Sequence, residues 1–319
     1  IARRTGRPIL FNALLASDEP GHENVHTETM KWIDSCFERG LRVYGQAVTV
    51  RAPFVFSLED WTLYDSSPAW SRATTGTTEE KKVKLADPAI RRQMIAEEDM
   101  LVTTGVGGPI EGIVIEATPG HPELAKYHGR ALGEIAKSEG KHHIEAMLDI
   151  GLAGDLKVLY KTADIASCDP KKVGELVRNQ HIIPGVSDGG AHTRFFTGGS
   201  FTTEMLTWLV RDTGQLTLEQ AHYRLSYLPA QAAGFTDRGF LREGAPADIV
   251  IYDFDKLKRV PEVDYEIAHD FPANEWRRVQ RAEGYRWTLV NGEVTFRDGE
   301  CTGRTPGQLL RLNRVGQST

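Results

Sequence analysis

Ile182-Ile-Pro-Gly-Val-Ser-Asp-Gly-Gly-Ala-His192 is the stretch on which the reading of the fold turns. Ile182 to Ser187 is a short apolar run with the length of a buried strand. It leads directly into Asp188, and Gly189 and Gly190 let the backbone turn sharply and approach a ligand closely. A carboxylate at the C-terminal end of a parallel strand stands where α/β barrels carry catalytic groups. His192, four residues on, reaches the same end. The same residues also build ordinary surface turns, so the context decides.

Upstream, Pro8-Ile-Leu-Phe-Asn-Ala-Leu-Leu15 is a second apolar run, bounded by Gly6 and a polar loop, and reads as a strand buried on both faces. A helix is expected over residues 23–39, with Met30, Ile33 and Phe37 on one face and Gly40 just past its end. Leu41 to Val50 reads as the next strand. Strand, helix and strand in succession predict a right-handed parallel crossover.

From Ser57 to about Met100 the pattern changes to an insertion. Asp60-Trp61, Ser66-Ser67-Pro68 and Thr74–Thr78 look like loops, Glu79–Lys82 like a solvated charge run, and Asp87-Pro88 opens a helix through Met100. Such an excursion is either a pocket wall or a plain surface insertion. Glu111–Thr118 reads as a strand and residues 129–150 as mostly helical. Downstream of His192 a helix is expected over Thr203–Arg211, and Thr217-Leu-Glu-Gln220 matches a capping box. Pro229 opens a short helix that ends at Gly234. Beyond residue 236 the chain turns to β-structure: Ala247–Asp253, Tyr285–Val290 and Val294–Phe296, with hairpin signals at Asn291-Gly292 and Asp298-Gly299. Three such strands do not close a sandwich and are expected to need partners.

Composition narrows the function classes. The chain has 319 residues, 38 Lys+Arg against 44 Asp+Glu, a net charge of −6 and 40% hydrophobic residues. The absence of a basic cluster argues against nucleic acid as partner. No apolar run approaches the roughly 18 residues of a membrane span. Three widely spaced cysteines, Cys36, Cys168 and Cys301, form neither a disulfide framework nor a CxxC site, which fits a reducing, cytoplasmic setting. Motifs for zincins, P-loops, serine hydrolases and Rossmann nucleotide binding are lacking. The chain opens at Ile1 without Met, and the beginning of a longer protein is expected to be missing.

In order along the chain stand Gly185-Val-Ser-Asp-Gly-Gly-Ala-His192, Leu225-Ser-Tyr-Leu-Pro-Ala-Gln-Ala-Ala-Gly234, Asp237–Asp253, Val290–Glu300 and Thr302-Gly-Arg-Thr-Pro-Gly307. This series resembles the C-terminal half of the amidohydrolase superfamily, in particular its D-aminoacylase (N-acyl-D-amino-acid deacylase) branch. The resemblance implies the α/β class: the C-terminal strands of a (β/α)8 TIM barrel over residues 1–240, with the insertion at about 57–100, then part of a small β-sandwich over 241–319. It implies one or two divalent ions, zinc foremost, whose bound water attacks an amide carbon. By motif position Asp188 is the metal-binding or proton-carrying aspartate. His192 orients Asp188 or the substrate, or is a structural residue of the loop.

Departures from the pattern are equally informative. The early His-x-His ligands cannot be present in a chain expected to begin just before the sixth strand. Where relatives carry histidine on that strand, this chain has Asn12, Ala13 and Leu14, and Asn12 is a poor substitute for an imidazole. His22 and His26 follow in the next loop as weak ligand candidates. Tyr44 and Gln46, one of which faces the mouth, are candidates for substrate binding, as is Arg194 for holding a carboxylate. His142-His143 reads as solvent-facing, and Cys168 has no identifiable histidine partner.

The leading expectation is a metal-dependent hydrolase of a non-peptide C–N bond, foremost an N-acyl amino acid deacylase, with a cyclic amide as the nearest variant substrate. From another class comes a catalytically degenerate relative that binds a small molecule or serves as a structural subunit; a plain structural α/β domain leaves the ordered motifs unexplained. Three barrel strands alone leave open edges. The remaining strands are therefore expected from the rest of the protein or from another chain, and a homo-oligomer is compatible with that.

Overall fold

The computed structural model describes the chain apart from residues 19–20, 61–62, 102–106, 188–192, 197, 261–264 and 312–319. A single helical turn, α1 (Ala2–Thr5), ends at Gly6 with φ 66° and leads into β1 (Ile9–Leu14). Helix α2 (Val25–Glu38) returns the chain to β2 (Val43–Val48), which pairs parallel with β1, Leu10 opposite Tyr44 and Asn12 opposite Gln46.

Between β2 and the third parallel strand lies a separate antiparallel body. It starts with β3 (Pro53–Phe56), continues through α3 (Pro68–Thr74), α4 (Thr78–Ala86) and α5 (Pro88–Ala96), and reaches β4 (Val114–Ala117). Helices α6 (Leu132–Glu139) and α7 (His143–Ala153) precede β5 (Leu159–Asp164), and the sheet order is β3-β5-β4. Trp70, Tyr64, Tyr160, Phe56, Leu85 and Met94 fill its core. The expected loop at 66–68 is a helix start, while that at 74–78 keeps a short link, residues 75–77, between the end of α3 and the start of α4. Ser67 accepts the Trp70 N–H with Pro68 following, and Thr77 and Glu80 cap each other's end of the first turn. Serine, threonine and proline serve turns and N-caps alike, so composition does not separate the two. The charge run 79–82 lies on α4, and Lys81 is buried there with its ammonium on the Glu59 carbonyl at 2.6 Å.

Helix α8 (Pro170–Arg178), capped by Asp169, leads to β6 (Ile182–Gly185), which joins the free side of β2 in parallel. The order β1-β2-β6 is the parallel sheet. Side chains alternate across it. Ala47 and Ile182 point toward Ile33 of α2 and Val173, Leu176 and Val177 of α8. Gly45 belongs to that face, where a Cβ would stand 2.6 Å from Ile182 Cδ1 and 2.9 Å from Ile33 Cδ1. Tyr44 and Ile183 use the opposite face. β1 departs from the expectation of burial on both faces: as the outer strand it leaves Leu10 47% and Phe11 39% exposed.

The chain continues through α9 (Phe201–Glu204), which widens into π-turns over Met205–Asp212, then α10 (Leu218–His222) with the expected Thr217–Gln220 box, and α11 (Leu228–Ala233), closed by Gly234. Leu228 and Ala232 of α11 cover Ile183 and Tyr44. Eight short strands follow: β7 (Ile249–Tyr252), β8 (Lys258–Val260), β9 (Glu266–Ala268), β10 (Arg277–Val279), β11 (Arg281–Glu283), β12 (Tyr285–Val290), β13 (Glu293–Arg297) and β14 (Glu300–Cys301). Strands β14-β13-β12-β7 make an antiparallel sheet, while β10 pairs with β9 and β11 with β8. Asn291-Gly292 and Asp298-Gly299 all adopt positive φ, as primed hairpin turns require. Among the described residues no helix is long and apolar enough to cross a membrane.

Candidate active site at the ends of the parallel strands

Because β1, β2 and β6 run in one direction, their C-terminal ends lie side by side. Lys172 of α8 reaches the end of β1, donating to Asp18 at 2.6 Å and to the Ser17 carbonyl at 3.3 Å. Burial pushes the Asp18 carboxyl up, but hydrogen bonds from Lys172 and Ser167 outweigh it and hold the group below its ordinary value. His26, in the first turn of α2, is buried, and its Nδ1 has no hydrogen-bond partner among the described residues. Burial first, then the nearby Lys172 ammonium, depress its basicity.

β6 leaves the sheet through Val186, whose φ of 66° is a strained conformation for a β-branched residue. Asp188 and His192 follow at once and lie outside the described residues. Their flanking residues are placed. Ser187 and Thr193 line a cavity of about 270 Å³ together with Asp270, Arg277, Arg278 and Gln280. Strand β10 clamps the loop: the Arg278 N–H donates to the Thr193 carbonyl at 2.7 Å and its Nε to the Arg194 carbonyl at 2.6 Å.

Arg194 points elsewhere. Its guanidinium pairs with Glu275 and with Asp60 (3.4 Å) and lies 5.1 Å from the Trp276 ring centre. Tyr44 sits edge-on to Phe37 at 5.1 Å, next to Ile183 and α11. Gln46, one step further toward the strand ends, is half-buried between Asn12 and Ile183 in the register. Thus Gln46 is the member of the pair nearer the mouth.

A second cavity, about 680 Å³, was not legible in the sequence. Arg51, Lys161, Arg211, Lys258 and Arg259 line it with Asp164, Glu204 and Asp212. Buried Glu204 accepts from Arg51 at 2.5 Å and from Arg259 at 3.0 Å, and Arg51 stacks on Trp208 at 4.5 Å. Cys168 also lines it, donating its thiol to Asp164 at 3.0 Å. Desolvation, then the Asp164 carboxylate, push this thiol up to about 12, which makes it a poor nucleophile.

Among the described residues, one group of three brings ligand atoms within 4.8 Å of one another: Glu98, His142 and His143, in the antiparallel body. The described mouth residues offer the amides of Asn12 and Gln46, an Asp18 engaged by Lys172, and the isolated His26. That donor set does not by itself fit a divalent ion.

Residues 114–296 match the amidohydrolase family, and the chain belongs to that family. Proteins similar to it include deacylases of N-acyl-D-amino acids and dihydroorotases. An N-acyl-D-glutamate deacylase from Alcaligenes xylosoxydans xylosoxydans is 32% identical over 205 residues, covering 63% of this chain and 37% of that protein. Among solved structures, the N-acyl-D-glutamate deacylase of Bordetella bronchiseptica, complexed with zinc and a phosphonate mimic of the tetrahedral intermediate, matches with a TM-score of 0.52. It is 24% identical, and the match covers 97% of this chain and 51% of that one. A D-aminoacylase structure matches with a TM-score of 0.52 at 18% identity, covering 95% and 49%. The chain thus spans about half the length of these solved relatives, and likeness at such identities establishes the α/β fold alone.

Proposed function

We propose that this chain supplies the C-terminal part of a metal-dependent hydrolase that removes the acyl group from an N-acyl-D-amino acid. The parallel order β1-β2-β6, with Ser187 just past the end of the last strand and next in sequence to Asp188, is the observation that carries this reading. On it, residues 1–240 belong to a (β/α)8 barrel interrupted by the insertion from about 57, and residues 241–319 to a β-sandwich. The remaining barrel strands pair with the exposed outer edge of β1 and come from the rest of the protein or another chain.

Asp188 is assigned the proton: it takes one from the attacking water and returns it to the leaving amine. His192 orients that carboxylate. Gln46 and Tyr44 meet the acyl amide from the β2 side, and Arg194 is kept for the substrate carboxylate, which requires it to exchange Glu275 or Asp60 for the ligand. A divalent ion of the zinc class, when bound with Asp188 among its ligands, lowers the pKa of water and polarises the scissile carbonyl. The described mouth residues do not by themselves assemble a ligand set for it.

The same deficiency favours a second reading, a relative that has lost catalysis and retains small-molecule binding. Metal content and hydrolysis of N-acetyl-D-amino acids by the complete gene product separate the two. The hydrolase reading expects bound metal and turnover that falls by about 10²–10⁴-fold in Asp188→Asn. Absence of turnover on N-acetyl amino acids of either hand, with or without added zinc, overturns it.

A further inference from the structure

We propose a second cation site, for a divalent ion of the zinc class, formed by Glu98, His142 and His143. It lies where the turn Glu98–Met100, just after α5, meets the start of α7. His142 and His143 do not face solvent as the sequence suggested: both imidazoles are half-buried and turned toward the carboxylate of Glu98, more than forty residues upstream.

His143 Nε2 is 2.5 Å from one Glu98 oxygen, and His142 Nε2 is 3.6 Å from the other. The two rings stand 4.1 Å apart between centres, tilted by 36°. The first distance is a hydrogen bond; the second is too long for one. It is ligand spacing instead. With bonds of about 2.0–2.1 Å in a tetrahedral site, neighbouring ligand atoms sit about 3.3 Å apart. The His143–Glu98 contact has to open to admit an ion. Side-chain exposures of 34%, 18% and 25% for His142, His143 and Glu98 leave a path from solvent and room for a fourth ligand from water.

Two imidazoles and one carboxylate suit zinc and its transition-metal neighbours better than calcium or magnesium. Among the described residues no lysine or arginine forms an ion pair with Glu98, so no resident cation has to be displaced. The positive end of α7 opposes a cation. Glu98 itself, its neighbours Glu97 and Asp99, and Glu145 in the first turn of α7 offset this.

The site has a built-in signature. His142 caps α7, its Nδ1 accepting the Ile144 N–H at 3.3 Å, so Nε2 carries the proton of the neutral ring. An ion on Nε2 moves that proton to Nδ1 and ends the cap. Helix α7 keeps its other start bond, from the His142 N–H to Glu145 at 3.1 Å. The bound ion then fastens the end of α5 to the start of α7, within the antiparallel body and apart from Asp188.

The test is titration of the chelator-treated, full chain with zinc chloride alone. It compares the wild type with Glu98→Gln, His143→Gln and, as the control for the mouth, Asp188→Asn. The expected result is a zinc equivalent, additional to any held at the mouth, whose affinity drops at least tenfold in Glu98→Gln and His143→Gln and is retained in Asp188→Asn. Nitrogen-15 spectra of His142 are expected to move from the Nε2–H to the Nδ1–H tautomer on zinc addition. Equal zinc stoichiometry and affinity in wild type and Glu98→Gln, or an unchanged His142 tautomer, overturns the proposal. Failure of Asp188→Asn to hydrolyse substrate bears only on the mouth. If His143→Gln does not fold, Glu98→Gln and the His142 spectrum still decide.

Discussion

Glu204, buried at the C-terminal end of α9, accepts a hydrogen bond from Arg259 of β8 at 3.0 Å. Arg51, just past the end of β2, donates to the other oxygen of the same carboxylate at 2.5 Å. One carboxylate thereby ties the C-terminal strands to the parallel sheet. A buried ion of this kind is costly to orphan, while both arginines keep some access to water. Glu204→Gln is expected to lower unfolding free energy by about 2–3 kcal/mol in urea denaturation. A double-mutant cycle with Arg259→Ala should show coupling, and additive losses would mean the pair is incidental.

Gly45 is required by close packing. A methyl there meets Ile182, Ile33 and Leu14 at 2.6 to 3.0 Å. Gly45→Ala is expected to cost about 1–3 kcal/mol. Gly185→Ala, where Gln46 Nε2 at 3.9 Å is the nearest atom, is the control and should be near neutral. Thermal melts of the two variants give the comparison, and equal melting temperatures would refute the packing argument.

His26 makes folding sensitive to acid. Burial depresses its folded pKa below the ordinary 6.5, with Lys172 adding to the shift and Glu175 opposing it. Below pH 6.5 the unfolded chain therefore binds a proton that the folded chain refuses, and stability falls as pH falls through the folded value. His222, also depressed by burial, acts in the same window. The measurement is unfolding free energy against pH. Its slope should be shallower in His26→Phe than in wild type, and shallower still with His222→Asn added. Parallel curves for wild type and His26→Phe would exclude His26 as the cause.

Cys168 should react slowly with alkylating reagents at pH 8, because its thiolate is suppressed by desolvation and then by Asp164. Asp164→Asn removes the second cause and is expected to speed modification of this cysteine relative to exposed Cys301. Mass-spectrometric time courses on the two peptides resolve the rates. An unchanged Cys168 rate in the variant would show that the carboxylate has no hold on the thiol.

The local features that the sequence predicted are those whose cause is local. Thr217 and Gln220 form their box because the partners are three residues apart. Asn291-Gly292 turns because those residues tolerate positive φ. The apolar runs at 8–15, 41–50 and 182–187 contain the parallel strands at 9–14, 43–48 and 182–185. Where the same residue types serve two purposes, the reading failed: Ser67-Pro68 starts a helix around the buried Trp70. Of the candidate site, the order of motifs indicated the family, while Asp188 lies outside the described residues. That order did not indicate that Arg194 would face Glu275 and Trp276.

By itself, the sequence determined the three parallel strands, the Thr217 cap, the hairpin turns at Asn291 and Asp298, and the family to which the chain belongs. Only the tertiary structure decided which charged and ring-bearing side chains meet. Arg51 finds Glu204 across 153 residues, and Glu98 finds His143 across 45. Periodicity states which face a side chain takes, and the partner on that face is chosen by how distant segments pack. The exposure of β1 has the same origin. Its apolar residues specify a strand, and its place at the edge of β1-β2-β6 leaves Leu10 and Phe11 in solvent.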